Sequence, residues 1–275
     1  MRTARAVASL PRRVYRDYLQ AERLGELARL LRLALDRGYV AMTLSAFAEL
    51  GAEPGGDARA RILLLRHDID SDVARARRIW ALERELGIAG SWFFRRATWN
   101  VAFMRELAEA GCDVGYHYEE LAILIKERGA GSAAEARRLI GPARALLRSS
   151  IGELRASSGL PLDLFAAHGD FANRVVGVSN VELLADPGFR AAIGARLEAY
   201  DIEGRVDGRA SDGGLPHQYW SPLDPADALR RGERVVELLL HPRAWGAARA
   251  ENARVDLRRL GDGWRYRIRR SRRQR

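Results

Sequence analysis

Residues 63–70 read LLLRHDID, an apolar run that ends abruptly in two carboxylates and a histidine. A strand that is buried on both faces cannot carry unpaired charge through its middle, so these charges predict the carboxyl end of a buried strand. In α/β proteins such strand ends open into a cleft, and the chemistry is usually done there. The stretch therefore predicts a parallel sheet with a functional site at the end of this strand.

Three further stretches show the same pattern of an apolar run that stops at a histidine. They are VGYHYEE at 114–120, LFAAHGD at 164–170 and VVELLLH at 235–241. If these strands are parallel neighbours, four of the five histidines collect on one rim with Asp68 and Asp70, namely His67, His117, His168 and His241. Histidine and carboxylate together form a donor set for first-row metals, above all zinc. The fifth histidine, His217, is predicted to lie on a surface loop.

The size and composition of the chain favour a single α/β domain. The chain has 275 residues and 47% hydrophobic content, enough for one large core, and predicted strands alternate with helical patterns. We expect an N-terminal helical extension over residues 1–60, an α/β core over 61–263 and a basic tail over 264–275.

The formal net charge of +10 is concentrated in the tail. Lys126 is the only lysine, and seven arginines lie between Arg265 and Arg275, so the rest of the chain carries about +3. The alternation over 264–270 predicts an edge strand, followed by a solvated run of arginines. We expect no specific nucleic-acid binding, and weak contact with an anionic surface is the alternative for the tail.

Cysteine usage and hydropathy bound the redox chemistry and the location. Cys112 is the single cysteine, so neither an intrachain disulfide nor a thiolate zinc cluster can form. Residues 1–19 hold no apolar segment of signal-peptide length, and no segment approaches the roughly 20 apolar residues of a membrane span. We therefore expect a cytoplasmic protein.

Asp68 and Asp70 are two residues apart, so on an extended chain both carboxylates face one pocket while His67 faces the opposite way. One carboxylate could hold a metal and the other could take a proton from metal-bound water, whose pKa falls from roughly 16 towards about 7. An exposed turn or a helix cap is the alternative for Asp-x-Asp, and the apolar run before it favours a site.

The other strand-end residues offer further ligands and an acid. Glu119 lies two residues after His117 and faces the same way if the chain stays extended. His168 could supply a third ligand, with a turn histidine as the equal alternative. His241 precedes a proline, and at that point it is suited to protonate a leaving amine or to steady an oxyanion.

In this order, the segments RHDID, GYH, AHG and LLHP resemble those of the polysaccharide deacetylase superfamily, over about 61–245. RHDID and GYHYE are similar in particular to segments of a branch found among cell-surface polysaccharide biosynthesis proteins. The resemblance implies a distorted (β/α) barrel that hydrolyses N-acetyl or O-acetyl groups on sugars. In this chain, the barrel carries an extra N-terminal helix.

The resemblance also implies roles for single residues. Asp68 becomes the catalytic base and His241 the histidine beside the leaving group, while Asp70 and His117 become ligands of a divalent metal, Zn²⁺ above all. Because the usual adjacent Asp-Asp is spread over Asp68-Ile69-Asp70 here, base and ligand could be exchanged between the two.

The chain departs from typical active members at one ligand position. Those members carry a second histidine four residues after the first, where this chain has Leu121. Either Glu119 or His168 replaces that ligand, or the metal is weak or absent. We assign His168 as the third ligand. Substrate contacts are assigned to Arg66, Asn100, Tyr118, Glu119, Asp212 and Trp245.

The sequence therefore predicts a metal-dependent hydrolase that removes an acetyl group from an acetylated sugar or related amide. Its partner would be a small-molecule or oligosaccharide substrate. The alternative is a catalytically inactive relative that binds a glycan or a nucleotide-sugar, and Leu121 is the residue that favours it.

Overall fold

The computed structural model describes residues 13–50, 60–213 and 219–273. The chain has a mixed α/β fold whose strands pair mostly in parallel, which confirms the predicted class. It divides into two compact units. The described parts of Met1–Val114 and Asp201–Asn252 form the first, and those of Gly115–Tyr200 and Ala253–Arg275 form the second. The boundaries expected at residues 60 and 263 stay a prediction, and His217 lies outside the described residues.

The strands are β1 (Tyr39–Met42), β2 (Arg61–Ile69), β3 (Ser91–Phe94), β4 (Asp113–Tyr118), β5 (Leu164–Ala167), β6 (Leu197–Glu198), β7 (Gly208–Ser211), β8 (Ser221–Pro222) and β9 (Val235–Leu240). The α-helices are α1 (Leu24–Asp36), α2 (Leu44–Glu49), α3 (Val73–Glu85), α4 (Val101–Glu109), α5 (Glu120–Arg128), α6 (Ala133–Arg137), α7 (Ile140–Ser158), α8 (Phe171–Val176), α9 (Pro187–Ala192), α10 (Pro225–Arg231) and α11 (Arg249–Arg273). A short π-helix covers Tyr15–Leu19, and α1 is the helix expected in the N-terminal extension.

In the first unit, β2 is the middle strand of the sheet. It pairs in parallel with β9 along one edge, and with β1 and then β3 along the other edge. Beyond β9, β7 continues the sheet in parallel and β8 adds an antiparallel pair. Eight of the nine residues of β2 are buried, as expected for a strand covered on both faces.

In the second unit, β5 lies between β4 and β6, and both pairings are parallel. Helix α5 packs against α7 and α8. Strand β4 covers residues 114–118 of the stretch VGYHYEE and begins one residue before it, so a strand is present where the sequence predicts one. Two elements were not predicted from the sequence, namely helix α5 of this unit and strand β1 of the first unit.

The C-terminal segment corrects one expectation. Residues 264–270 were expected to form an edge strand, which is wrong because they lie within α11. Tyr266 anchors this helix: it is 3% exposed, its hydroxyl donates to the Ala130 carbonyl at 2.7 Å, and its ring meets Phe171 edge to face. Arginine has a high helix propensity, so the arginine-rich segment forms a helix readily. Burial of the single residue Tyr266 then stabilises this helix, although the alternating pattern of the segment predicts a strand. Neither α11 nor any other helix in the described ranges combines the length and the apolar character that crossing a bilayer requires.

Candidate functional site

The end of β2 presents a buried, hydrogen-bonded ion pair. Arg66 Nε and Nη2 donate to Asp68 Oδ1 and Oδ2, each at 2.9 Å. The two residues are 0% and 3% exposed, so the guanidinium compensates a carboxylate that water scarcely reaches. The pair therefore fixes Asp68 in one orientation.

Asp70 lies one residue beyond the end of β2. Its N–H donates to the carbonyl of Asp68 at 3.0 Å, so the chain turns there instead of staying extended. Its side chain is 32% exposed, and Oδ1 lies 3.8 Å from Nη1 of Arg95. Asp70 is thus the more accessible of the two strand-end carboxylates.

His67 faces the opposite side of β2, as the two-residue period predicts. Its Nε2 lies 3.0 Å from Oε1 of Glu83 on α3, and both side chains are 0% exposed. Its ring stacks on Trp92 at 3.7 Å. The expectation that His67 joins the other histidines on the rim is therefore wrong, because its side chain is buried in the core of the first unit.

His241 follows β9 and is held by Asp212, which follows β7. The Nδ1 atom of His241 lies 2.7 Å from Asp212 Oδ1, and its backbone N–H donates to Oδ2 at 2.7 Å. The indole N–H of Trp245 donates to the same Oδ2 at 2.8 Å. Because Nδ1–H donates to the carboxylate, Nε2 is the atom that exchanges a proton with anything bound outside.

The charge of His241 is set by three carboxylates of the same unit. Burial lowers the pKa of His241, but the charge and hydrogen bond of Asp212 and the charges of Asp70 and Asp68 together outweigh burial, so the pKa rises to about 9. The side chain is still 26% exposed. At neutral pH the strand end therefore holds an accessible imidazolium close to two carboxylates, which is suited to general acid catalysis.

A buried glutamate on β9 extends this charged group, and the sequence analysis did not select it. Glu237 is 0% exposed, with Oε2 3.1 Å from Nε of Arg209. Burial raises the pKa of Glu237, while Arg209 and Arg66 oppose the rise. The feature of the sequence that could have indicated Glu237 is its position as the single charged residue inside the apolar run VVELLL.

In the second unit, His117 is the residue before the last of β4, and a hydrogen bond fixes the orientation of its ring. Nδ1 lies 2.9 Å from the carbonyl oxygen of Ala166 on β5, and the residue is 2% exposed. A carbonyl accepts and does not donate, so Nδ1 carries the hydrogen and Nε2 carries the lone pair. This is the arrangement that metal-binding histidines usually show.

His168 lies beside His117 and belongs to a group that could hold a cation. The two imidazole rings meet edge to face with centroids 5.1 Å apart. One ligand atom each of Glu119, His168 and Asp170 lies within 4.8 Å of the others. Nitrogen and carboxylate oxygen donors of this kind suit zinc and other first-row divalent metals. The structure therefore supports part of the expected cofactor chemistry.

Two members of this group differ from the expectation. Glu119 was placed on an extended chain, but β4 ends before it and α5 begins after it. Asp170 follows β5 in the strand-end segment AHGD and is not among the ligands that the sequence predicts. Burial works against the ionised form of Asp170, but Lys126, whose Nζ lies 2.8 Å from Oδ2, the N–H of Ala172 and the charge of His168 together outweigh burial and lower the pKa of Asp170. The predicted ligand set Asp70, His117 and His168 stays a prediction.

Three predicted substrate-binding residues hold the strand-end side chains of the first unit. Arg66 bonds Asp68, and Asp212 bonds both His241 and Trp245. Arg66, Asp212 and Trp245 are each at most 2% exposed, so they position the more accessible side chains of the strand ends.

The other three lie elsewhere. Asn100 caps α4 by accepting from Phe103 N at 3.0 Å. Tyr118 is 0% exposed, with its hydroxyl 3.5 Å from Glu198, and Glu119 lies beside His168. Contact of any of the six with a substrate stays a prediction.

Comparison of the chain with protein-family models, with curated proteins and with solved structures found no match. The geometry of the two strand-end groups is therefore the basis for assigning a function.

Proposed function

We propose that the protein is a metal-dependent hydrolase that removes an acetyl group from an acetylated sugar or a related amide. The observation that carries the proposal is the His241 imidazole, which Asp212 orients and which lies near Asp68 and Asp70. Hydrolysis of an amide needs a proton acceptor for the attacking water and a proton donor for the leaving amine. A distorted barrel of the polysaccharide deacetylase type is part of the same proposal, and the mostly parallel strands support it.

The residues of the first unit divide this work. One of the two strand-end carboxylates accepts a proton from the attacking water. Asp68, which Arg66 holds by two hydrogen bonds, is the base assigned from the sequence, and Asp70, the more accessible of the two, is the alternative. The water oxygen forms a bond to the acyl carbon, the C–N bond breaks, and His241 donates its Nε2 proton to the departing nitrogen. Acetic acid and an amine leave, and the proton held by the carboxylate passes through solvent to His241, which restores both groups for the next turnover. Asp212 positions His241 and stabilises its charged form.

The second unit supplies donors for the metal, with Zn²⁺ as the first candidate. The ligands assigned from the sequence are Asp70, His117 and His168. Glu119 and Asp170 are further candidates because their carboxylate oxygens approach the His168 ring nitrogen. When bound, such a metal polarises the acyl carbonyl and makes a water molecule more acidic.

Metal content tests this assignment. The purified protein is expected to hold a stoichiometric divalent metal by mass spectrometry, and His117→Ala, His168→Ala and Asp70→Ala are each expected to lose it. His241→Ala is the matched control, a strand-end histidine outside the proposed ligand set, and should keep the metal. Unchanged metal in both His117→Ala and Asp70→Ala would rule out the mechanism. Comparison with Glu119→Ala and Asp170→Ala identifies the remaining ligand.

A second candidate function is binding without catalysis. Leu121 stands where active members of the resembling family have a second histidine, and here it is 0% exposed on α5, so its position is used for packing. A glycan or a nucleotide-sugar would then occupy the cleft unchanged. A chelator separates the two functions: it should abolish acetate release from acetylated amino sugars if the protein is the enzyme, and should leave ligand binding intact if it is the binder.

A further inference from the structure

Helix α11 carries an apolar stripe on its outer face. Leu257, Leu260 and Trp264 are 69%, 70% and 65% exposed, and they are the three most exposed large apolar side chains in the described ranges. Their spacing of three and four residues places them on one side of the helix. Single exposed apolar residues are common, whereas an aligned group of this size indicates a contact surface.

The opposite face of α11 is already packed within the second unit, so the stripe cannot turn inward. Tyr266 is buried against Phe171 and bonds the Ala130 carbonyl. Arg269 Nη1 donates to the carbonyl of Lys126 at 3.3 Å. A Cβ at Gly129 would lie 2.8 Å from the carbonyl carbon of Arg269, so the helix backbone passes directly over this glycine. These contacts fix the rotation of α11 about its own axis.

Positive charge flanks the stripe. Helix α11 contains ten arginines against three acidic residues. At 3.6 residues per turn, four exposed arginines form a row along one side of the apolar stripe. They are Arg254, Arg258, Arg265 and Arg272. An apolar face with Leu and Trp beside a basic row is the pattern of a helix that lies in the plane of a membrane interface.

We propose that α11 binds the surface of an anionic lipid bilayer, with Leu257, Leu260 and Trp264 entering the acyl boundary and the arginine row contacting lipid phosphates. Nucleic acid would engage the arginines but would leave the apolar stripe in water. A second copy of the helix would bring two strongly basic segments together, which charge repulsion opposes. An anionic bilayer satisfies both features, and the proposal stands independently of the hydrolase function.

Vesicle binding by the full chain tests the proposal. The protein is sedimented with vesicles of phosphatidylcholine alone and of phosphatidylcholine mixed equally with phosphatidylglycerol. Affinity for the mixed vesicles is expected to be at least roughly tenfold higher, because each arginine near the surface contributes attraction. Fluorescence of Trp264 is expected to shift to shorter wavelength, and Trp264→Phe identifies that signal among the six tryptophans.

Two variants separate the apolar and the electrostatic contributions. The triple change of Leu257, Leu260 and Trp264 to Ser should abolish binding, whereas the control Val175→Ser/Val181→Ser, exposed on other elements of the second unit, should not. The triple change of Arg254, Arg258 and Arg265 to Gln should remove the preference for anionic vesicles. Its matched control changes three exposed arginines elsewhere in the same unit, Arg137, Arg138 and Arg196.

Several results would overturn the proposal. Equal binding to both vesicles, or none to either, would exclude an anionic bilayer as the occupant. Unchanged binding of the serine variant would exclude insertion of the apolar stripe. Salt-sensitive binding of duplex DNA without vesicle binding would assign the face to nucleic acid. A dimer that the serine variant converts to a monomer, with no vesicle binding, would assign it to a second copy.

Discussion

Two histidine–carboxylate pairs of the first unit differ in where they lie. His67 and Glu83 are both 0% exposed, and the imidazole stacks on Trp92. His241 is 26% exposed beyond the end of β9, and its partner Asp212 accepts two further hydrogen bonds, one from the backbone and one from Trp245. The same two functional groups are thus enclosed in the core in one pair and open to solvent in the other. The difference is accessibility, together with the charges that face the accessible imidazole.

The largest expected difference between the pairs is in turnover. His241→Gln should lower kcat for acetate release from acetylated amino sugars by about 10²- to 10⁴-fold, because the proton donor is lost. His67→Gln should leave kcat per folded molecule close to that of the unmodified protein, since its ring faces away from the strand-end carboxylates. Equal losses of kcat in His241→Gln and His67→Gln would show that the accessible and the buried histidine do not differ in their effect on turnover.

The next effect is on stability, and it should be larger for the buried pair. His67→Leu leaves the carboxylate of Glu83 buried without its partner, and the free energy of unfolding should fall by about 3 to 5 kcal/mol in urea denaturation. The double variant His67→Leu/Glu83→Leu should recover most of this loss, because two apolar side chains need no compensation. His241→Leu should cost less, since Asp212 keeps the bonds from Trp245 and the backbone. A larger loss in His241→Leu would contradict the comparison.

The smallest effect is the pH dependence of the accessible pair. The pKa of His241 is about 9 in the folded protein against an ordinary value of 6.5, a difference equivalent to at most roughly 3 kcal/mol. Since the folded pKa is raised, this stabilisation is fully present below pH 6.5 and is lost as the pH rises to about 9. Asp212→Asn should lower the pKa of His241 towards its ordinary value and flatten unfolding stability over this window. Titration of the His241 ring by NMR in both proteins measures the shift, and an unchanged pKa in Asp212→Asn would refute the assigned cause.

Local patterns in the sequence predicted the main strands and the direction of His67. Strands β2 and β9 are buried on both faces, so each appears as a continuous apolar run, and the alternation of side chains along β2 separates His67 from Asp68. The bond between Asp212 and His241 could not be predicted in this way. The two residues are 29 positions apart, and only the pairing of β7 with β9 brings them together.

Helix α11 shows the reverse case, in which a local pattern was misleading. Trp264, Tyr266 and Ile268 alternate with arginines, which fits a strand, but Leu257, Leu260 and Trp264 also fit a helical period. Burial of Tyr266 decides between the two, and burial is a property of the folded chain. Glu119 is similar, since nothing in GYHYEE marks the change from strand to helix.

The pairing of β2 with three other strands has a consequence for how the chain tolerates insertions. A shift of one residue along β2 would exchange its two faces, sending the imidazole of His67 outward and the carboxylate of Asp68 into the hydrophobic interior. Strand β1 pairs with residues 61–64 of β2 and β3 pairs with residues 66–69, while β9 pairs with residues 62–67 and so overlaps both. A slip of the whole strand would therefore break three sets of backbone hydrogen bonds, and an insertion within it would set the β9 pairing against that of β1 or β3, so length changes should accumulate in the loops instead.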